Sequence, residues 1–352
     1  MATDEIDTPA VVVDLDVAEA NIERFQRYAD AHGLAVRPHV KTHKLPSLAK
    51  HQLAAGAVGL TCQKVSEAEA MIAGGGIDDL LITYNVVGAA KLARLKRLAE
   101  TIRVAVVADS EAVVEGLSAA FDDASRPLRV LVEGETGGQR CGVQTPEAAA
   151  RLARHVERSR GLRFGGLMTY PAADEAAAAQ TWLAAAKACC EAAGMTVDTV
   201  SSGGSPDLWL AHTAPVVTEY RPGTYVYNDR SLVERGVCTV AECALTVLTT
   251  VVSVPTPERA IIDAGSKVLT ADLFGLEGHG RVLDHGGLAI DRLSEEHGRI
   301  VADGPTGLAV GDRLRIIPNH ACVVANMLDE VVTVRGEQLI GPVHVAARGR
   351  VW

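Results

Sequence analysis

Eight short strand-like runs, separated by stretches of helical composition, recur through the first two-thirds of the chain, and this alternation limits the possible folds more than any other feature. The runs fall at residues 35–40, 59–63, 80–84, 103–109, 128–135, 162–170, 197–202 and 217–220. Ala-, Leu- and Glu-rich segments lie between them, among them Pro46 to Ala55, Glu67 to Ala73 and Ala172 to Ala193, compositions that favour helix. Ser66 with Glu69 three residues on has the spacing of a capping box. Asp14 or Asp16, after Val11-Val12-Val13, can cap a helix that carries Ile22, Phe25 and Tyr28 at helical spacing. Eight strands joined by helical segments is the count of a closed parallel barrel, with a doubly wound open sheet as the alternative. The barrel is the expected fold: α/β, a (β/α)8 TIM-like barrel.

Beyond residue 236 the texture changes to β-rich runs broken by Gly, Pro and Asp, such as CALTVLTTVVSV, RAIIDAG and EVVTVRG, without a long helical pattern. The expected organisation is a barrel over residues 1–235 and a C-terminal β-domain over 236–352. A chain of 352 residues has room for one barrel and one smaller module.

The net charge of −10 argues against a binder of nucleic-acid phosphates, which needs clustered basic residues; small molecules are the expected ligands. The N-terminal stretch is acidic where a signal peptide is basic, and no apolar run is long enough to span a membrane. A cytoplasmic protein is expected. Seven scattered cysteines do not form a disulfide framework. Cys62, Cys141, Cys189, Cys190, Cys238 and Cys243 read as buried small hydrophobes.

In such barrels the chemistry sits at the C-terminal ends of the strands. The first strand ends in Arg37-Pro38-His39-Val40-Lys41-Thr42-His43-Lys44, either a solvated basic loop or a reactive site. A lysine attacks a carbonyl only when its amine is deprotonated, and the neighbouring cations Arg37 and Lys44, with partial burial, are expected to favour that state. Glycine-rich turns at Ser202-Gly203-Gly204-Ser205 and Arg221-Pro222-Gly223-Thr224 follow the seventh and eighth strands, where barrels commonly bind phosphate.

TPAVVVDLD followed by RPHVKTHK resembles the start of the family that contains D-threonine aldolases and D-serine dehydratases, whose barrel is that of bacterial alanine racemase. The likeness continues in order through TCQKVSEAEAMIAGGGIDDLLITYNVVG, ETGGQRCGV, SSGGSP, TEYRPGTYVYND, SEEHG and PNHAC. It implies that Lys41, not Lys44, carries pyridoxal 5'-phosphate. It makes Ser202, Gly203, Gly204, Gly223 and Thr224 the phosphate site, and Arg140, Tyr170 and, more weakly, Tyr225 and Tyr227 neighbours of the cofactor. His320 and Cys322, two residues apart and so on one face if the segment is extended, fall at the family's metal position. The thiolate favours zinc, with manganese or magnesium as alternatives. Glu295, Glu296 and His297 either help line that site or form an acidic surface turn.

The implied activity is a lyase reaction on a D-3-hydroxy amino acid. The central motifs resemble the aldolase branch, which gives glycine and an aldehyde; the His-x-Cys pair is that of zinc-dependent dehydratases acting on D-serine or D-3-hydroxyaspartate. Tyr170-Pro171-Ala172-Ala173 stands where many aldolases have a histidine, so the base acting on the hydroxyl is unassigned. A non-catalytic pyridoxal phosphate carrier and an amino-acid racemase are the remaining alternatives. A homodimer is implied by the related barrels.

Overall fold

A computed structural model describes residues 5–352; Met1 to Asp4, the start of the acidic N-terminal stretch, lie outside the described residues. The chain opens with β1 (Ala10–Asp14), where Val11 to Val13 are buried, and passes directly into α1 (Leu15–Ala31). Asp14 caps this helix, its Oδ1 accepting the N–H of Asp16 at 3.0 Å and of Val17 at 3.4 Å.

One compact unit comprises Glu23–Lys41, Pro46–Gly223 and Gly349–Trp352. It holds β2 (Ala35–Val36), β3 (Leu60–Cys62), β4 (Asp79–Ile82), β5 (Arg103–Ala108), β6 (Leu128–Gly134), β7 (Leu162–Thr169), β8 (Val200–Ser202) and β9 (Glu219–Tyr220). The helices α2 (Pro46–Ala55), α3 (Val65–Ala73), α4 (Ala89–Thr101), α5 (Glu111–Phe121), α6 (Pro146–Arg158) and α7 (Ala176–Ala192) follow β2 to β7 in turn. All eight strands are parallel, in the order β2-β9-β8-β7-β6-β5-β4-β3. A bridge between His39 and Thr61 joins the end of β2 to β3 and closes the barrel. Each of the eight strand-like runs is a barrel strand. They are legible because a parallel strand covered on both faces is a nearly continuous apolar run.

Leu81, Ala105, Val107, Leu131 and Met168, from four consecutive strands, form a buried cluster; each of the larger side chains taken out of water stabilises the fold by ~1.5–3 kcal/mol. A polar chain is also buried in this unit. Arg37 donates from Nη1 to Asp79 at 2.5 Å and from Nε to Glu219 at 2.7 Å. Glu219 accepts the Ser201 hydroxyl at 2.5 Å, and Arg221 donates to Ser201 Oγ at 2.8 Å and to the Thr169 carbonyl at 2.6 Å.

Two sequence expectations fail here. Ser66 lies inside α3, whose N-cap is Lys64, and no side chain caps it. The Ser66 hydroxyl instead donates to the Trp352 carbonyl, and Glu69 pairs with Arg94. Nor does Arg37 act as an uncompensated cation beside Lys41, because its charge is matched by Glu219 and Asp79.

The second unit gathers the stretch up to Ile22, Thr42–Leu45 and Thr224–Arg348, three separate stretches where the sequence reading draws one line at 235/236. It contains the short helices α8 (Arg230–Glu234), α9 (Ser266–Leu269) and α10 (Ala321–Val324). Its strands are β1 with β10 (Leu245–Thr256), β11 (Arg259–Ile262), β12 (Arg281–Val282), β13 (Ala289–Leu293), β14 (Gly298–Val301), β15 (Arg313–Ile317), β16 (Glu330–Arg335) and β17 (Gln338–His344). The order is β13-β14-β11-β10-β1-β16-β17, with β15 pairing both β10 and β12. β1 is antiparallel to β10 and parallel to β16, with Val12 opposite Thr246 and Val332. Ile6, Ala10, Val12, Leu248 and Val334 form its buried cluster.

Of the six cysteines expected to be buried, Cys62, Cys190 and Cys243 are, while Cys141, Cys189 and Cys238 are half-buried. Among the described residues no helix is long and apolar enough to cross a membrane.

Candidate active site

Parallel strands bring their eight C-terminal ends to one rim, and the predicted residues of the barrel unit lie there. Lys41 is half-buried. The segment that carries it is pinned on both sides, by His39 N–H to the Pro222 carbonyl at 2.8 Å and Val40 N–H to the Thr61 carbonyl at 2.9 Å. The His39 ring spans Gln63 Oε1, at 3.0 Å, and the backbone N–H of Lys41, at 3.4 Å. Lys44, the other expected cation, donates its Nζ to the Ala347 carbonyl at 3.2 Å.

Arg140 and Tyr170 come together: the guanidinium carbon of Arg140 stands 5.1 Å from the centre of the Tyr170 ring, a cation–π contact. The ring packs over Gly204, where a Cβ would stand 3.0 Å from Tyr170 Cε2. Gly203 has φ +98°, and a Cβ there would be 2.2 Å from the Tyr220 ring, so only glycine suits this turn. Tyr220 donates its hydroxyl to the Gly204 carbonyl at 2.9 Å, and Gly223 N–H donates to Ser205 Oγ at 3.3 Å. The loops after β8 and β9 are thereby tied to each other. Among the described residues no group accepts the N–H of Gly203 or Gly204, so two consecutive backbone donors of this turn remain for an anion. This fits the phosphate of pyridoxal phosphate.

Sequence reasoning missed two charged groups on the same rim. Arg221 is fully buried, and burial pulls its guanidinium down to about 10, with Glu219 and Glu133 offsetting part of the effect. Burial pushes the Glu133 carboxyl up to about 7, with Arg140 and Arg221 opposing and Asp109 reinforcing. Arg221 stood in the RPGT element quoted for its glycine, so its signal was present but unused.

In the second unit His320 and Cys322 meet, though not on an extended segment. His320 is the N-cap of α10 and Cys322 lies in its first turn, so a helix start replaces the expected strand. The two side chains lie within electrostatic reach of each other, each favouring the other's charged form. Burial disfavours the Cys322 thiolate, but the His320 imidazolium and hydrogen bonds from His320, Thr224 and Thr42 outweigh it and hold the thiol below its ordinary range. Burial likewise pulls His320 down, while the Cys322 thiolate and Asp229 raise it to about 10. Thr42 Oγ1 is 3.1 Å and Thr224 Oγ1 3.3 Å from Cys322 Sγ. Thr42 follows Lys41 in the sequence, and the hydroxyl of Thr224, a residue expected at the phosphate, faces the Cys322 sulfur.

Asp229, also unforeseen, is fully buried and accepts from His320 Nδ1 at 3.2 Å. This carboxylate–histidine pairing orients metal-bound imidazoles by leaving Nε2 for the ion. Tyr227 is fully buried, its hydroxyl within electrostatic reach of Cys322 and without a hydrogen-bond partner among the described residues. An orphaned hydroxyl beside a thiolate and an oriented imidazole fits a bound divalent ion with its attendant ligands. Tyr225 is buried in a 3-10 turn, Thr224–Val226.

Among the described residues no group of three or more His, Cys, Asp or Glu side chains converges to hold a metal. The SEEHG element therefore does not join the pair. It is an exposed turn, with Lys267 paired to Glu295 at 3.0 Å and to Glu296 at 2.6 Å.

Residues 13–231 match the family model of the alanine racemase N-terminal domain, and residues 244–334 match a serine dehydratase domain. The chain is 35% identical to D-threonine aldolase of an Arthrobacter species, over 98% of this chain and 93% of that one. It is 33% identical to D-threo-3-hydroxyaspartate dehydratase of a Delftia species, over 90% and 91%. The crystal structure of D-threonine aldolase from Filomicrobium marinum superposes with a TM-score of 0.91 at 34% identity, covering 99% of this chain and 97% of that one. The chain belongs to the alanine-racemase-fold family of lyases that includes D-threonine aldolase and D-threo-3-hydroxyaspartate dehydratase.

Proposed function

We propose that this enzyme is a pyridoxal phosphate- and metal-dependent lyase that cleaves D-3-hydroxy amino acids to glycine and an aldehyde, in the manner of D-threonine aldolase. The observation that carries the metal-dependent part is the buried Asp229–His320–Cys322 arrangement, for which a racemase or a cofactor carrier has no use.

Lys41 would hold the cofactor covalently, the N–H groups of Gly203 and Gly204 with the Ser202 and Gly223 turns would hold its phosphate, and Arg140 and Tyr170 would contact the pyridine. Pyridoxal phosphate supplies an electron sink for the bond broken at Cα. His320 and Cys322 would hold a divalent ion, zinc by the softness of the thiolate, and it would supply Lewis acidity toward the β-hydroxyl. Lys41 and a base for the hydroxyl then decide the outcome. Loss of the hydroxyl proton breaks Cα–Cβ and releases the aldehyde. Removal of the Cα proton by Lys41 expels hydroxide and leads to ammonia and a 2-oxo acid.

The second outcome, a D-serine or D-3-hydroxyaspartate dehydratase, is the alternative reading, favoured by the thiolate ligand. The central motifs and the full-length similarity to an aldolase favour the first. The same reading makes the enzyme a cytoplasmic homodimer.

The test incubates the protein with pyridoxal phosphate and D-threonine, with and without a chelator. Acetaldehyde and glycine that vanish on chelation support the aldolase. 2-Oxobutanoate and ammonia move the enzyme to the dehydratase branch, and chelator-resistant turnover overturns the metal assignment.

A further inference from the structure

The β-rich unit carries a pair of thiols that the reaction does not use. Cys238 and Cys243 flank a single 3-10 turn, Val240–Glu242. The turn is closed by Cys243 N–H to the Val240 carbonyl at 3.2 Å and is braced by Glu242 Oε2, which accepts the Thr239 N–H at 2.7 Å and the Thr239 hydroxyl at 3.0 Å. This folding turns the Cys243 sulfur back to the start of the turn, where it donates to the Thr239 carbonyl at 3.8 Å, beside Cys238, and the two thiols feel each other electrostatically. Cys189 and Cys190 are also neighbours in sequence, but they occupy consecutive positions of α7, which do not face one another on a helix.

The pair is asymmetric. Cys238 is half-buried, beyond the exposed residues Glu234, Arg235 and Gly236, whereas Cys243 is buried. Cys243 also lines a cavity of about 260 Å³ with Val240, Ala241, Ala244 and Arg315. The interaction with Cys238, which favours the protonated form of Cys243, and burial after it, hold the Cys243 thiol far above its usual range. An accessible thiol beside a protonated, sheltered one is the arrangement of an attacking and a resolving cysteine.

We propose that Cys238 and Cys243 are a modification site, a dithiol that hydroperoxides convert reversibly to an intrachain disulfide. The Cys238 thiolate attacks the peroxide; an S–O bond forms, the O–O bond breaks, and the departing oxygen leaves as water or an alcohol once protonated. The Cys243 sulfur then attacks the Cys238 sulfur, forming S–S and breaking S–O, and the hydroxide released takes the Cys243 proton as water. Two thiols are oxidised and one peroxide is reduced. The turn so locked is built into the unit's interior: the Glu242 carbonyl accepts Asn21 Nδ2 and Asn228 Nδ2, each at 2.9 Å, and Ala244 N–H donates to the Tyr227 carbonyl at 2.7 Å.

The test uses the full reduced protein treated with hydrogen peroxide, then alkylated and digested with trypsin. Arg235 and Arg259 are the nearest basic residues on either side, so both cysteines, and no others, leave in one peptide, residues 236–259. The expected product is this peptide unalkylated and lighter by two hydrogens, restored to its dialkylated form by dithiothreitol. In C243S the same treatment should leave Cys238 as a sulfenic acid or a higher oxide with no such peptide. The proposal is overturned if the wild-type peptide stays dialkylated under peroxide that oxidises the chain's other thiols, or if Cys238 over-oxidises while Cys243 remains alkylatable.

Discussion

Asp229 accepts the His320 Nδ1–H at 3.2 Å with the same oxygen, Oδ2, that takes the Ala321 N–H at 3.0 Å. Its other oxygen is occupied by the Ser231 hydroxyl at 2.6 Å and the Leu232 N–H at 3.2 Å. With four donors on one buried carboxylate, the imidazole is held through Nδ1, which leaves Nε2 as the nitrogen that would meet an ion. The substitution Asp229→Asn keeps the volume but loses the charge and one acceptor. It should weaken zinc binding by ~10–100-fold, measured by competition against a chromophoric chelator with circular dichroism as the control for folding. Undiminished affinity in a folded variant would show that Asp229 has no orienting role.

The buried ion pairs of Arg37 set a stability prediction. Its guanidinium is desolvated, and Glu219 and Asp79 more than offset the cost, holding it above its ordinary range. Arg37→Ala leaves the buried Glu219 carboxylate without its cation, while Asp79 keeps Arg103 at 2.9 Å, at a cost of ~3–5 kcal/mol. The readout is the denaturant midpoint. A loss of less than ~1 kcal/mol would mean that water reaches Glu219 and Asp79 once Arg37 is gone.

These pairs also show what the sequence conveys. The barrel strands were legible because burial on both faces imposes a local apolar run. Arg37 reads as a surface cation because its partners stand 42 and 182 residues away, and nothing local records them. Ser66 with Glu69 satisfied a spacing rule, yet the Ser66 hydroxyl found the Trp352 carbonyl 286 residues downstream. Lys41, His320 and Cys322 were visible because reactive residue types cluster in short motifs. Asp229, Arg221 and Thr42 stood inside quoted motifs, but their roles depend on which neighbour they touch, and that is set by tertiary packing.

Glu133 predicts a pH dependence of stability. Burial pushes its carboxyl up to about 7, Arg140 and Arg221 offsetting only part and Asp109 adding to it. The folded chain therefore binds a proton that the unfolded chain has already released. The contribution is fully present below the ordinary carboxylate range and is lost as pH rises through 7. It amounts to about 3 kcal/mol at most. Glu133→Gln, uncharged throughout, should become more stable relative to wild type between about pH 5 and 8. Parallel melting curves for the two proteins over that range would refute the assignment.

Gly203→Ala tests the phosphate turn. Its φ of +98° and the Tyr220 ring 2.2 Å from a would-be Cβ leave no relaxed position for a methyl group. The backbone term alone costs ~1–2 kcal/mol, and relief by moving the turn displaces the Gly203 and Gly204 N–H groups. Retention of pyridoxal phosphate after gel filtration, followed by visible absorbance, should fall by more than the loss of stability explains. Full retention would place the phosphate elsewhere.

The last prediction concerns the choice of ion. In Cys322→Asp the carboxylate can accept the Thr42 and Thr224 hydroxyls that now donate to the sulfur at 3.1 and 3.3 Å, so the polar surroundings stay satisfied. What changes is the softness of the donor. A thiolate holds zinc in preference to harder ions, and an oxygen ligand narrows that preference toward manganese and magnesium. Stripped protein reloaded with each ion in turn should show the ratio of manganese- to zinc-supported activity rising by about tenfold, roughly 1.4 kcal/mol of altered preference. An unchanged ratio with activity intact would mean that position 322 does not touch the metal, and His320 would have to be assigned a different partner.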